Sequence, residues 1–290
     1  MVTRADFQGK ERPTWCTGCG NHAILNAIKM ALAEHDIAPH EIFIVTGIGC
    51  GSKLPHYMKV TGLHTLHGRA LPVATGARLA NHGLRVMTVH GDGDGYGMGL
   101  GHMLHAIRRN VNFVDVVQNN RIYGLTKGQY SPTSEPGKRT PTSPSGSIDR
   151  PVEPLPLAIT MGATFVARGY SNELKHLAWL IGEALEHPGY ALVDVLQPCV
   201  SFNRSYAYDF YNERVYKLED EPEYDATDRT AAWEKGFEWG DRIPIGIFYR
   251  GAPVPTYEEQ VPALAAGPLV HQPLGKLQQP QIEALKAEIT

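Results

Sequence analysis

Two short apolar segments, each ending in turn residues, constrain the fold of this chain most. The segment LRVMTV (84–89) leads into HGDGDG, and VNFVDVV (111–117) leads into Gln118-Asn119-Asn120, with a helix-like stretch around 99–109 between them. Apolar, β-branched segments of this length that alternate with helical stretches are typical of buried strands in a parallel sheet. The carboxyl ends of such strands share one edge of the sheet, where ligands bind. The glycine and asparagine turns are therefore expected to lie together at that edge.

The same alternation continues on both sides of this region. The sequence predicts a three-layer α/β fold, in which a mostly parallel sheet carries helices on both faces. Residues 1–200 are expected to form this domain, and the tyrosine- and proline-rich residues 201–290 an irregular C-terminal arm packed on the core or on a partner chain, or else a small independent domain. Further strands are predicted at 42–46, 163–170 and 190–196, helices at 20–35, 70–81 and 172–186, and a long Ser- and Pro-rich loop at 131–154.

Composition excludes several classes of function. The net charge is −3, with no long run of one sign, so a nucleic-acid partner is not expected. No apolar stretch reaches the roughly 18–20 residues that a membrane-spanning helix needs, and the first residues lack a signal peptide. A cytoplasmic protein without a membrane partner is therefore expected. In that compartment the four cysteines are expected to be free thiols or metal ligands.

The glycine-rich segment after 89 predicts a phosphate site of an unusual kind. Its glycines alternate at 91, 93, 95, 97, 99 and 101, which does not supply the spacing of a dinucleotide-binding fingerprint. Backbone N–H groups at a helix start favour phosphate, but Asp92 repels it unless a cation intervenes. Oxygen atoms of Asp92, of Asn120 and of the Ile122 main chain suit Mg²⁺. The alternative is that both segments are only tight turns.

The four cysteines predict a second site. Cys16 and Cys19 form a CxxC motif just before a helix, whereas Cys50 and Cys199 each follow a predicted strand. Structural zinc, a thioredoxin-like CxxC motif and an iron–sulfur cluster are the three alternatives. A redox CxxC motif leaves two cysteines without a role. The cysteine spacing by itself does not decide between zinc and a cluster.

At this point the residues show a family resemblance. GDG at 91–93 followed by NN at 119–120 resembles the signature of thiamine-diphosphate enzymes. With the additional motifs WCTGCG, GIGCGSK and QPC, the chain resembles the β subunit of 2-oxoacid:ferredoxin oxidoreductases over residues 12–200. Two departures are WCTGCG, where WCPGCG is commoner, and NNR, where many relatives have DNQ. The resemblance implies thiamine diphosphate against Gly91 and Gly93, Mg²⁺ on Asp92, Asn120 and the Ile122 carbonyl, and a [4Fe–4S] cluster on Cys16, Cys19, Cys50 and Cys199.

The resemblance also implies an activity. Relatives oxidatively decarboxylate a 2-oxoacid with coenzyme A, giving an acyl-CoA and CO₂, and pass electrons through the cluster to ferredoxin, in some cases reversibly. The C-terminal part favours 2-oxoglutarate as the substrate. The glutamate that activates thiamine is expected on an α subunit, in a heterotetramer. The alternatives are a non-redox thiamine-diphosphate lyase or synthase with a structural four-cysteine zinc site, and a non-catalytic binding module.

Five further residues are candidates for contacts with the substrate or cofactor. Lys53 is a candidate partner for the 2-oxoacid carboxylate, although a solvated surface lysine is as good an interpretation. Leu125 and Lys127 are candidates for the pocket around the substrate side chain. His67 and Arg69 are candidates for contact with phosphate or carboxylate, because arginine matches such groups with two parallel hydrogen bonds.

Overall fold

A computed structural model describes residues 1–272, 275 and 279–289, and its described strands form one sheet. The strands are β1 (Ile42–Thr46), β2 (Thr61–His64), β3 (Arg85–Gly91), β4 (Phe113–Asn119), β5 (Phe165–Tyr170), β6 (Tyr190–Leu196), β7 (Val215–Lys217) and β8 (Ile243–Arg250). Their order across the sheet is β2-β1-β3-β4-β6-β5-β8-β7.

The sheet is mostly parallel, as predicted. Only the pair of β5 and β8 is antiparallel among the described strand pairs. In the centre, Gly91 of β3 lies opposite Gln118 of β4, and Asn119 of β4 lies opposite Leu196 of β6. This register brings the carboxyl ends of three neighbouring strands to one edge.

Helices cover both faces of the sheet, which confirms the three-layer fold. The buried apolar side chains of α1 (Asn21–Glu34) and α5 (Leu174–Glu186) form a core with one face. Those of α2 (Ala70–Ala80), α3 (Leu100–Arg109), α4 (Pro154–Thr160) and α7 (Arg229–Lys235) form a core with the other. The remaining helices are α6 (Tyr208–Asn212), α8 (Tyr257–Gln260) and α9 (Gln279–Ile289). No helix in the described ranges is long and apolar enough to cross a bilayer.

The C-terminal third differs from the expectation. An irregular arm is expected after residue 200, whereas β7 and β8 extend the main sheet there. Pro244 and Gly246, the latter at φ +129°, interrupt the β-branched pattern of β8, so this strand was missed. The edge strand β2 was missed because apolar and polar residues do not alternate in its sequence TGLH. All four of its residues are exposed. The domain division at residue 200 stays a prediction, and residues 273–274, 276–278 and 290 of the predicted arm lie outside the described residues.

A buried histidine lies near the opposite edge of the sheet. His187 ends α5, and its Nε2 lies 2.8 Å from Thr164 Oγ1. Burial, with a smaller contribution from the Arg250 charge, lowers the pKa of His187 to about 4. Because an unfolded histidine titrates near pH 6.5, the folded chain keeps His187 neutral where the unfolded chain protonates it.

This shift predicts how stability depends on pH. The contribution of His187 is complete above about pH 6.5 and is lost as the pH falls toward about 4, up to about 3 kcal/mol. His187→Gln should therefore flatten the fall in the free energy of unfolding between about pH 7 and about pH 4.5. Urea unfolding followed by tryptophan fluorescence measures this. His40→Gln, at an exposed position, is the control. Equal pH dependence in His187→Gln and the parent chain would contradict the prediction.

Candidate functional site

Two adjoining cavities lie at the carboxyl edge of the sheet. The first, called here the Asp92 cavity, has a volume of about 90 Å³, and the second, called the thiol cavity, about 250 Å³. The predicted metal and cofactor residues Gly91, Asp92, Gly93, Asn120, Ile122 and His67 line the Asp92 cavity. All four cysteines line the thiol cavity. The residues shared by both linings are Cys50, Asn120, Gly124, Leu125 and Gln197.

Asp92 is held by two hydroxyl groups that the sequence analysis did not single out. Ser131 and Thr133 both donate to Asp92 Oδ2, at 2.5 and 2.7 Å, and Thr133 also donates to Asn119 Oδ1 at 3.0 Å. Asp92 is 1% exposed, and this burial raises its pKa. A bound cation would favour the ionised carboxylate. The first residues of the predicted loop thus orient the carboxylate, although nothing in the sequence SPTS distinguishes them from solvent-facing hydroxyl residues.

Asn120 has its side chain held at both ends. Its Nδ2 donates to Gln197 Oε1 at 2.7 Å, and its Oδ1 accepts the Ile122 N–H at 3.1 Å. Its main-chain carbonyl accepts a 2.9 Å bond from the buried amide of Asn203. The turn that carries the predicted oxygen ligands is therefore rigidly positioned.

The walls of the Asp92 cavity leave room for a polar ligand. A Cβ atom at Gly93 would lie 2.1 Å from the Tyr123 ring, whose hydroxyl donates to the Gly93 carbonyl at 3.0 Å. A side chain at position 93 would therefore displace Tyr123. Gln118 lines the same cavity, and both polar atoms of its buried side chain lack a hydrogen-bond partner. Buried polar groups are rarely left in this state, so these atoms fit a site for a polar group such as a diphosphate with its cation.

His67 and Arg69 occupy different environments. His67 Nδ1 lies 2.8 Å from Asp94 Oδ1, which also accepts the backbone N–H groups of Ile48 and Gly68. Arg69 is exposed, contacts the His102 ring and lines neither cavity. The structure therefore brings His67, but not Arg69, to the predicted diphosphate site.

Asp94 belongs to a buried charge cluster that the sequence analysis missed. His90 lies between Asp94 Oδ2, at 3.1 Å, and Asp115 Oδ1, at 2.6 Å. Burial opposes protonation of His90, but the two carboxylates outweigh it and raise its pKa to about 10. Burial likewise opposes ionisation of Asp94, but hydrogen bonds and the charge of His90 lower its pKa to about 2. The cluster therefore holds together the loops at Ile48 and Gly68 that face the cavity.

Three of the four thiols at the thiol cavity are partly buried, whereas Cys16 is exposed. Burial raises the pKa of Cys19 to about 12 and also raises those of Cys50 and Cys199. Backbone N–H groups of residues 201–203 donate to the Cys199 sulfur and favour its thiolate. Metal binding would deprotonate these thiols, because the thiolate is the ligand.

Gly124 and Asn21 lie beside the thiols. A Cβ atom at Gly124 would lie 3.6 Å from the Cys199 sulfur and 3.9 Å from the Cys50 sulfur. Both polar atoms of the buried Asn21 side chain lack a partner at the same cavity. The cavity therefore has room beside two of the sulfurs. Within the described ranges no three His, Cys, Asp or Glu side chains are arranged to bind one metal ion.

The three candidate substrate residues also border the thiol cavity. Lys53 is partly buried, whereas Leu125 and Lys127 are exposed on the loop that follows the Asn120 turn. Leu125 additionally lines the Asp92 cavity. Two cationic side chains thus lie beside the junction of the two cavities.

Two protein-family models match consecutive parts of the chain. Residues 45–195 match the C-terminal TPP-binding domain of thiamine pyrophosphate enzymes. Residues 199–266 match the C-terminal region of the pyruvate ferredoxin oxidoreductase β subunit. The chain therefore contains a thiamine-diphosphate-binding domain.

Individual relatives agree with these matches. The 2-oxoacid:ferredoxin oxidoreductase subunit β of Saccharolobus solfataricus is 46% identical over 85% of both chains. The 2-oxoglutarate oxidoreductase subunit KorB of Mycobacterium tuberculosis is 46% identical over 68% of this chain and 53% of its own. A structure of 2-oxoglutarate:ferredoxin oxidoreductase from Magnetococcus marinus, with 2-oxoglutarate, coenzyme A and succinyl-CoA bound, superposes with a TM-score of 0.90 at 38% identity, over 98% of this chain and 96% of that one. This chain belongs to the β subunits of the 2-oxoacid:ferredoxin oxidoreductases, which work within multi-subunit enzymes.

Proposed function

We propose that this β subunit, with an α subunit, catalyses the coenzyme A-dependent oxidative decarboxylation of 2-oxoglutarate and passes the electrons to ferredoxin. Thiamine diphosphate with Mg²⁺ would bind in the Asp92 cavity, and a [4Fe–4S] cluster in the thiol cavity. The observation that carries the proposal is that the two cavities adjoin and share Asn120, Gly124 and Gln197. A thiamine site beside four thiols joins decarboxylation to electron transfer within one chain.

The residues of this chain have distinct tasks in that proposal. Asp92, Asn120 and the Ile122 carbonyl would bind the cation, with Ser131 and Thr133 orienting Asp92. When bound, thiamine diphosphate supplies the electron sink for decarboxylation and the cluster accepts the electrons.

Two lysines support 2-oxoglutarate as the substrate. Every 2-oxoacid carries one carboxylate at the reacting end, and 2-oxoglutarate carries a second at the other end. Lys53 and Lys127 lie within three residues of Cys50 and Leu125, which line both cavities, so a substrate bound between the cluster and thiamine diphosphate would meet one positive charge for each carboxylate. We assign Lys53 to the common carboxylate and Lys127, with Leu125, to the side-chain end. The relatives named for 2-oxoglutarate support this substrate.

The lysine assignment predicts a separable effect on the Michaelis constant. Lys53→Ala should raise KM for both 2-oxoglutarate and pyruvate, about tenfold or more, because each loses a charge-assisted hydrogen bond. Lys127→Ala should raise KM for 2-oxoglutarate only. Steady-state kinetics on the two substrates measure both effects. If Lys127→Ala raised KM equally for pyruvate, the assignment of Lys127 would be wrong.

The space beside Gly124 predicts a requirement for cluster loading. Gly124 has no positive φ, so alanine fits its backbone, and its methyl group would lie in van der Waals contact with the Cys199 and Cys50 sulfurs, in space that a cluster would fill. Gly124→Ala should therefore fold and yet contain less than about half of the parent's iron and sulfide. Gly76→Ala, whose Cβ atom would meet nothing within 4 Å, is the control. Full iron content in Gly124→Ala would contradict the proposed cluster position.

The need for an α subunit is tested by reconstitution. The glutamate that activates thiamine is proposed to reside on the α subunit, so the isolated β chain should not turn over 2-oxoglutarate. Addition of the α subunit should give ferredoxin reduction that depends on both 2-oxoglutarate and coenzyme A. Turnover by the isolated chain would refute the α-subunit requirement, and a complex inactive on all 2-oxoacids would refute the proposed function.

A further inference from the structure

Gln197 lies between the two cavities and lines both of them. It follows the last residue of β6 and is 2% exposed. A Cβ atom at Gly20 would lie 3.0 Å from Gln197 Cγ, so the side chain is packed tightly on that side. Its backbone N–H donates to the Asn119 carbonyl at 3.0 Å, which joins it to the end of β4. The side chain is therefore fixed at the junction of the two proposed sites.

The orientation of the Gln197 amide follows from its neighbours. The Pro198 carbonyl can only accept, so the group 2.9 Å from it must be Gln197 Nε2. The same nitrogen donates its second hydrogen to the Cys19 sulfur, at 3.4 Å. Gln197 Oε1 consequently faces Asn120.

This orientation determines which atom Asn120 offers to a cation. Because Gln197 Oε1 can only accept, the atom 2.7 Å from it must be Asn120 Nδ2. Asn120 Oδ1 is then on the other side and accepts the Ile122 N–H, with a second lone pair remaining for a metal ion. Reversing the Gln197 amide would turn the Asn120 amide and present nitrogen to the metal.

We propose that Gln197 is a positioning residue that couples the two sites: it presents Asn120 Oδ1 to Mg²⁺ and donates a hydrogen bond to the Cys19 sulfur. The inference rests on the proposed function, since it concerns residues that would hold the cluster and the cation. An N–H donor at a ligand sulfur stabilises the more negative, reduced cluster and raises its reduction potential. One side chain would thus set both the affinity for the magnesium–diphosphate unit and the potential of the electron acceptor.

Two substitutions separate these effects in the αβ complex. Gln197→Met keeps the length of the side chain and removes all three of its side-chain hydrogen bonds, including those to Asn120 and Cys19. It should raise the Kd for thiamine diphosphate with Mg²⁺ about tenfold. It should also lower the reduction potential of the cluster by up to about 59 mV, which corresponds to a tenfold lower ratio of reduced to oxidised cluster at a fixed solution potential. Gln197→Glu keeps an acceptor for Asn120 but loses the donor to Cys19. It should lower the potential and leave the Kd within about threefold of the parent value.

Redox titration monitored by EPR measures the potential, and calorimetry measures the Kd. Gln118→Met is the matched control, because Gln118 is also a buried glutamine at a strand end but lines only the Asp92 cavity. Its cluster potential should equal that of the parent. If Gln197→Met fails to retain the cluster, the potential of Gln197→Glu decides the matter. Unchanged potentials in cluster-containing Gln197 variants would overturn the inference and leave the proposed function intact. A parent complex without the cluster would instead overturn the proposed function.

Discussion

The register of the parallel strands β3, β4 and β6 determines which side chains meet at the two cavities. β3, β4 and β6 end at one edge, with Gly91 opposite Gln118 and Asn119 opposite Leu196. The turns that follow them carry Asp92, Asn120 and Cys199. Buried apolar side chains on both sides of the sheet hold this register, because a slip of one residue would move every side chain of the strand to the opposite face and disrupt the packing of both cores. Chemistry at this edge is thus a consequence of packing in the core.

Burial at that edge makes each polar group depend on a partner. The His90–Asp94–Asp115 cluster keeps three ionisable groups in the interior, where breaking one pair would leave an uncompensated charge. Asp94 also accepts backbone N–H groups from two loops, so the cluster ties the walls of the cavity to the sheet. The atoms of Gln118 and Asn21 that lack partners lie at the two cavities. These two amides fit sites for polar ligands, because buried polar groups are rarely left without a partner.

The sequence predicted the features that are local or periodic. Apolar segments with glycine or asparagine after them located the central strands, and the spacing of Asp92, Asn120 and the cysteines indicated which turns would meet. It did not predict β7 and β8, whose pairing depends on contacts distant in the chain. Nor did it predict Ser131 and Thr133, because hydroxyl residues in a polar loop look the same whether they face solvent or a buried carboxylate. Arg69 illustrates the converse, since a suitable side chain next to His67 faces away from the site.

The central claim is that one chain holds a thiamine site and an iron–sulfur cluster side by side. This is tested by measuring the iron, sulfide and zinc content of the anaerobically purified αβ complex. A low-temperature EPR spectrum is recorded after reduction with dithionite, and the Cys199→Ser complex is measured in the same way. We expect an EPR signal from the reduced cluster, together with about four iron and four sulfide per β chain. The signal, the iron and the sulfide should all be lost in Cys199→Ser. One zinc per chain, with iron and the EPR signal unaffected by Cys199→Ser, would contradict it.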